Sequence, residues 1–392
     1  MIKPADRIST VKEYYFSVKL RQIDRMRQEG KDVINLGIGS PDNPPSDDVL
    51  EALYSSAGNP AHHGYQSYKG IPELRKGFSR WYKKSYGVDL DPETEILPLM
   101  GSKEGIMHIS MAFLNKGDEV LIPDPGYPTY SAVTNLTGAT VRIYNLKEDN
   151  KWQPDLESLE KEDLSKVKLM WVNYPNMPTG AKADLITMEK LVAFGKNHNI
   201  LICNDNPYSF VLNPNPSSLL SVKGAKDIVI EMNSLSKSHN MPGWRIGMAA
   251  SNSEFINYIL RVKSNMDSGM FRPLQDAAAI ALNLDDKWYK KINSVYSERR
   301  SLVGEILDLL NCTYDPDQVG MFIWAKIPDN IISAEALSEE ILNKANVFLT
   351  PGFIFGENGK RYLRLSLCSS TQLLKESINR IKNIQIEESC QK

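Results

Sequence analysis

The sequence predicts an α/β fold in which a large domain with a mainly parallel sheet is joined to a smaller α+β domain, and three observations carry that prediction. Strand-like apolar runs alternate with helix-period segments through most of the chain. At 392 residues the chain exceeds the size at which one hydrophobic core keeps growing, which points to two domains. After about Asn283 the alternation gives way to one long helix and then an α+β pattern.

Taken in order, the first helix is expected around Phe16 to Gln28, packing with the second domain. Leu74, Phe78 and Trp81 share one face of a helix over Pro72 to Tyr86, as Met188, Leu191 and Val192 do over Leu185 to His198. The runs VLIPD, LMWVNYP, ILICND and IVIEMNS end at Asp124, Pro175, Asp205 and Ser234. They are short and rich in β-branched or aromatic residues, as buried strands are. Beyond them come a helix over Lys287 to Leu310, with Trp288, Ile292, Val295, Leu302, Ile306 and Leu309 at helical spacing, the strand MFIWAKIP and a helix from Ala334. The runs VFLTPG and YLRLSLC and a final helix leading into a charged tail close the chain. The expected division is 45–285 for the large domain and 1–44 with 286–392 for the small one.

Apolar residues make up 42%, charged residues 24% and the net charge is -2, a balance ordinary for a soluble enzyme that offers nucleic acid no bulk attraction. Cys203, Cys312, Cys368 and Cys390 are far apart without C-x-x-C spacing, so neither a zinc site nor a disulfide framework is expected. The N-terminus has no signal-peptide core and no run reaches about 18 apolar residues, so the expectation is a cytoplasmic protein with no membrane contact. His62, His63, His108, His198 and His239 show no metal-ligand spacing, and no metal is expected. GIGSP at Gly37 is not a dinucleotide loop, because no GxGxxG opens a helix there.

The strand ends are informative. Polar, Gly or Pro residues come directly after the apolar runs, and open α/β sheets collect ligands outside the carboxyl ends of their strands. Asp124 to Tyr127, Asn173 to Gly180, Asp205 to Tyr208 and Ser234 to Arg245 are therefore expected to converge on one cleft. In the last of these, SLSKSHNMPGWR, Lys237 sits between serines with Arg245 eight residues on. A lysine becomes nucleophilic when burial or a second cation lowers its pKa; the alternative is a surface lysine in a serine-rich loop. Asp205 closes an apolar strand, where a carboxylate is costly without a partner; the alternative is a helix N-cap or a loop aspartate. GSKEGI, from Gly101, turns from a strand into a helix. Ser102 and Lys103 there either present first-turn amides to an anion or form a plain turn with Ser102 as cap.

NYPNMPTG, NDNPY, SLSK with GWRIG, and YLRLS occur in an order and spacing that resemble the class I/II aminotransferases, pyridoxal-phosphate enzymes of fold type I. The resemblance runs from LGIGSPDNPP at Leu36 to the RLS motif near the end. It implies pyridoxal 5'-phosphate held as a Schiff base on Lys237, with Arg245, Ser234, Ser236, Ser102 and Lys103 at the phosphate. It sets Asp205 on the pyridine nitrogen, Tyr208 on the phenolic oxygen and Tyr127 stacked on the ring. Arg364 matches the arginine that takes the substrate α-carboxylate, with Gly39 adding a backbone amide. Tyr65 matches a tyrosine that reaches the phosphate from a neighbouring subunit, which implies a homodimer.

One departure stands out: relatives carry Asn directly before Pro-Thr-Gly, where this chain has Met177, with Asn176 one position early. Weaker stabilisation of the deprotonated phenolic oxygen is therefore expected. The implied reaction is a ping-pong transfer of an amino group between an L-amino acid and a 2-oxo acid, with Lys237 as general base. The same site would also serve a β- or γ-eliminating lyase, the nearest alternative. A transcription regulator of this fold would need a DNA-binding module that the residues ahead of Leu36 cannot supply. GSKEGI and KSNMDSGMF resemble segments of the diaminopimelate-related branch, among others, and Arg272 beside the second is either a surface residue or a contact for an acidic substrate.

Overall fold

The computed structural model describes residues 2–11, 13 and 15–384; Cys390 and the charged tail lie outside the described residues. Seven strands form the main sheet: β1 (Ile96–Leu99), β2 (Glu119–Asp124), β3 (Thr140–Asn145), β4 (Val167–Val172), β5 (Leu201–Asp205), β6 (Val229–Ser234) and β7 (Gly247–Ala250). Their order is β1-β7-β6-β5-β4-β2-β3, and all neighbours run parallel except at β7, which is antiparallel to both of its own.

Side chains alternate across this sheet with the period of two that a strand imposes. On β4, Leu169 and Trp171 join one buried cluster while Met170 and Val172 join the other, and on β5 Leu201 and Cys203 oppose Ile202. Helices cover both faces, which is why these strands read as continuous apolar runs. The helix Pro72–Tyr86 begins on a proline whose missing N–H costs nothing in the first turn. It buries Leu74, Phe78 and Trp81 and ends at Gly87, whose φ of 69° suits glycine. Leu185–His198 is capped by Asp184, which accepts from the Thr187 amide at 2.8 Å. Helix Ser102–Phe113 packs on the opposite face, with Thr129–Thr137 and Ser253–Lys263 as neighbours.

A second core gathers around a four-stranded antiparallel sheet made of β8 (Thr313–Tyr314), β9 (Phe322–Lys326), β10 (Thr350–Pro351) and β11 (Tyr362–Ser366), in the order β10-β11-β9-β8. The long helix Asp286–Leu309, capped by Asp285, presents Ile292, Tyr296, Val303 and Ile306 to it, joined by Ala334–Ala345 and Thr371–Lys382. The N-terminal helix Tyr15–Gln28 packs Ile23 and Met26 against Leu342 and Phe348, as its sequence led one to expect.

Candidate active site

Beyond the carboxyl ends of β5 and β6 lies a cavity of about 550 Å³. Of the twelve residues singled out from sequence, eleven line it: Gly39, Ser102, Lys103, Tyr127, Asp205, Tyr208, Ser234, Ser236, Lys237, Arg245 and Arg364. Tyr65 does not, and is 93% exposed.

Lys237 follows β6 in the four-residue helical turn Leu235–Ser238, which Ser234 caps through the Ser236 amide at 3.1 Å. Its ammonium donates to the Gly39 carbonyl. Burial foremost, with Arg364 and Arg245 adding their charge against an opposing pull from Cys368, lowers its pKa. The Gly39 carbonyl thus serves the lysine, while the Gly37 carbonyl accepts from Arg364 at 2.7 Å. Arg364 reaches the cavity from the middle of β11, its guanidinium 3.9 Å from the centre of the Phe322 ring.

At the opposite end, the Asp205 carboxyl is buried and its pKa is pushed up to about 7 by that burial, against the hydrogen bond from Tyr130. Tyr130 Oη donates to Oδ2 at 3.1 Å, and Oδ1 is buried with no partner among the described residues. Asn204, the preceding residue, turns to the other face and donates to buried Glu231 at 2.8 Å.

Arg245 holds φ at 57°, a conformation that costs a non-glycine residue on the order of 1 kcal/mol. It donates to the Pro242 carbonyl at 2.8 Å and lies directly against Gly101, where a Cβ would overlap the guanidinium. Gly101, at φ 85°, sits at the N-cap position of helix Ser102–Phe113 with no side-chain cap, so the alternative of Ser102 as capping residue is not realised. The first-turn amides, which no carbonyl of their own helix can reach, stand beside Arg245 and Ser234. This end of the cavity suits a phosphate.

His63 and Arg272 stand outside the cavity, as the plainer reading of each has it. His63 hydrogen-bonds the Ala57 carbonyl at 3.0 Å and packs on Phe271, outside the cleft. Arg272 pairs with Asp276 at 3.0 Å, one helical turn on, and does not line the cavity. Asn176 does not take over from Met177, because its oxygen accepts from the Thr179 hydroxyl at 2.8 Å inside the loop. Met177 lines the cavity with its sulfur 3.3 Å from Arg364 Nη1. Glu104, His108 and Asp267 bring ligand-type atoms within 4.8 Å of one another, a grouping the histidine spacing did not reveal. Lys263 already places its charge there, 2.8 Å from both Asp267 oxygens.

Three further residues line the cavity without a role assigned to them from the sequence, though Asn173 stands in a run expected at the cleft. Tyr130 lies three residues after Tyr127, which is a readable signal. Asn173 opens the NYPNMPTG run, and its side chain ties the Asp205 carbonyl to the Met177 amide. Phe322 becomes a site residue only once β9 pairs with β11.

The family model for aminotransferase class I and II matches residues 31–381. The chain belongs to that family. This aminotransferase is 42% identical over 392 residues to the LL-diaminopimelate aminotransferase of Aquifex aeolicus, covering 98% of this chain and 100% of the relative. It is also similar to a solved, substrate-bound BacF structure from Bacillus subtilis (TM-score 0.92, 36% identity, 97% of each chain). A probable N-succinyldiaminopimelate aminotransferase from Thermus thermophilus matches with a TM-score of 0.87 at 31% identity, covering 94% of this chain and 99% of that one. The aminotransferase uses pyridoxal 5'-phosphate, and its residues fit that molecule. The cavity is of small-cofactor size, an orphaned carboxylate oxygen awaits a donor at one end, and a guanidinium, hydroxyls and helix amides meet at the other.

Proposed function

We propose that Lys237 is the amine that captures the cofactor and the base that takes the proton from the substrate Cα. When bound, pyridoxal 5'-phosphate supplies an aldehyde for reversible covalent capture of an amine and a ring that withdraws electrons from that carbon. Around it, Asp205 accepts from the ring nitrogen, and Tyr208 donates to the phenolic oxygen. Tyr127 stacks on the ring, while Arg245, Ser234, Ser236, Ser102 and Lys103 hold the phosphate. Arg364, clasped to Gly37, offers its planar fork to the substrate carboxylate, with Gly39 beside it.

One observation carries this reading: the amine, the buried acid and two guanidinium groups line the same small cavity, and the lysine pKa is lowered there. Lys237→Ala is expected to abolish both turnover and the absorbance band of the lysine-bound cofactor. Retained turnover would refute the assignment.

The proposal extends to the assembly, a cytoplasmic homodimer in which Tyr65 serves the neighbour's phosphate. An aromatic residue 93% exposed and outside its own cavity supports this, and buried free thiols at Cys203, Cys312 and Cys368 suit a reducing compartment. It also keeps the domain division at 44/45 and 285/286. For the amino donor it takes LL-diaminopimelate, supported by the names of relatives at 39% to 42% identity over 97% to 98% of the chain. A panel of amino donors against 2-oxoglutarate tests that choice; faster transfer from an unrelated donor rejects it.

A further inference from the structure

We infer that Tyr130 is a positioning residue for the cofactor: its hydroxyl holds one oxygen of Asp205 so that the other is presented, ionised, to the ring nitrogen. The inference rests on the proposed pairing of Asp205 with that nitrogen.

The geometry leaves the tyrosine little freedom. Tyr130 is completely buried, its ring lies parallel to Trp171 (centroids 4.9 Å apart, planes 4° apart) and edge-on to Tyr127 at 5.6 Å. Its hydroxyl reaches Asp205 Oδ2 at 3.1 Å, and burial together with the Asp205 charge holds its pKa well above the ordinary phenol value. It is therefore a neutral donor throughout the working pH range. A phenol donating to a carboxylate stabilises the ionised form and fixes its rotamer. Asn173 Nδ2 donates to the Asp205 carbonyl and anchors the backbone. With Oδ2 and the carbonyl so engaged, Oδ1 is buried without a donor among the described residues, and an unpaired buried acceptor is costly until a ring N–H meets it. The Tyr130 amide also donates to the Tyr127 carbonyl at 3.1 Å, so the proposed ring-stacking residue and the carboxylate's donor are joined by the turn that leads into helix Thr129–Thr137.

The test compares two ligands in each protein. The full-length chain, freed of cofactor, is titrated with pyridoxal 5'-phosphate and with an analogue carrying C–H in place of the ring nitrogen. Wild type is expected to prefer the natural cofactor. Tyr130→Phe keeps the ring on Trp171 and should narrow that preference by about tenfold, the worth of one hydrogen bond to a charged group. Affinity for the analogue should change by less than about twofold, because the analogue has no use for an ionised Oδ1. Preference is a ratio within one preparation, so a lower active fraction does not alter it. If Tyr130→Phe weakens both ligands equally, or neither, the tyrosine is merely structural and the inference fails. Asp205→Ala separates the two levels: a preference that survives this change shows that Asp205 does not meet the ring nitrogen, which removes the underlying pairing itself.

Discussion

Asp205 and Lys237 are both driven toward their neutral forms by burial, and each meets a different solution. Without the cofactor, Asp205 titrates near about 7 in the folded chain against an ordinary value of 3.8. A raised folded pKa means that the folded state holds a proton the unfolded state has released, so stability falls as pH rises from about 4 through about 7. Asp205→Asn lacks this term. Thermal melts of cofactor-free protein should therefore show the variant gaining on wild type between pH 4 and about 8, with no further gain above; parallel curves would show the carboxyl is not strained. Met177 allows a second prediction. An asparagine there would offer an amide donor to the cofactor's phenolic oxygen and would favour its deprotonated form. In Met177→Asn the apparent pKa of the bound cofactor's absorbance should fall by on the order of one unit. Superimposable titrations of the two proteins would dispose of the idea.

Among the elements, the turn from β1 into helix Ser102–Phe113 and the segment after β6 together form the end of the cavity proposed to hold the phosphate, because Gly101 lets the Arg245 guanidinium lie against bare backbone. Gly101→Ala has two consequences: its φ of 85° disfavours a side chain by roughly 1 to 2 kcal/mol, and the new methyl displaces the guanidinium. Cofactor affinity is expected to drop at least about tenfold, with inorganic phosphate competing less well than in wild type; unchanged competition would place the phosphate elsewhere. The elements themselves were largely legible. Helices Pro72–Tyr86 and Leu185–His198 stand where their apolar spacing put them, and the structure adds the groups that end them: Gly87 by its positive φ, Asp184 and Asp285 by side chains that accept first-turn amides. The antiparallel run of β7 was not legible, since direction leaves no trace in an apolar run of four residues.

In the assembled molecule, the proposed exchange of Tyr65 between subunits makes a prediction that no single chain can satisfy. Lys237→Ala and Tyr65→Ala proteins, unfolded together and refolded as a mixture, should recover up to about a quarter of wild-type activity. Half the dimers are then hybrids, each with one complete site. Recovery of none would place Tyr65 in its own site or outside it. Sedimentation of wild type at falling concentration checks the dimer independently.

That Lys237, Asp205, Arg245 and Arg364 share one cavity was legible in the sequence, through the order and spacing of the runs that carry them. Local signals also determined where helices begin and end, because caps and apolar periodicity act over a few residues. Only the tertiary structure decided that Tyr130 bonds Asp205, that Gly37 and Gly39 turn carbonyls to Arg364 and Lys237, and that Asn176 is consumed within its own loop. These contacts join segments up to hundreds of residues apart or hinge on which of two faces a side chain takes. Long-range pairing and packing direction settle such choices, and neither leaves a periodicity in the chain.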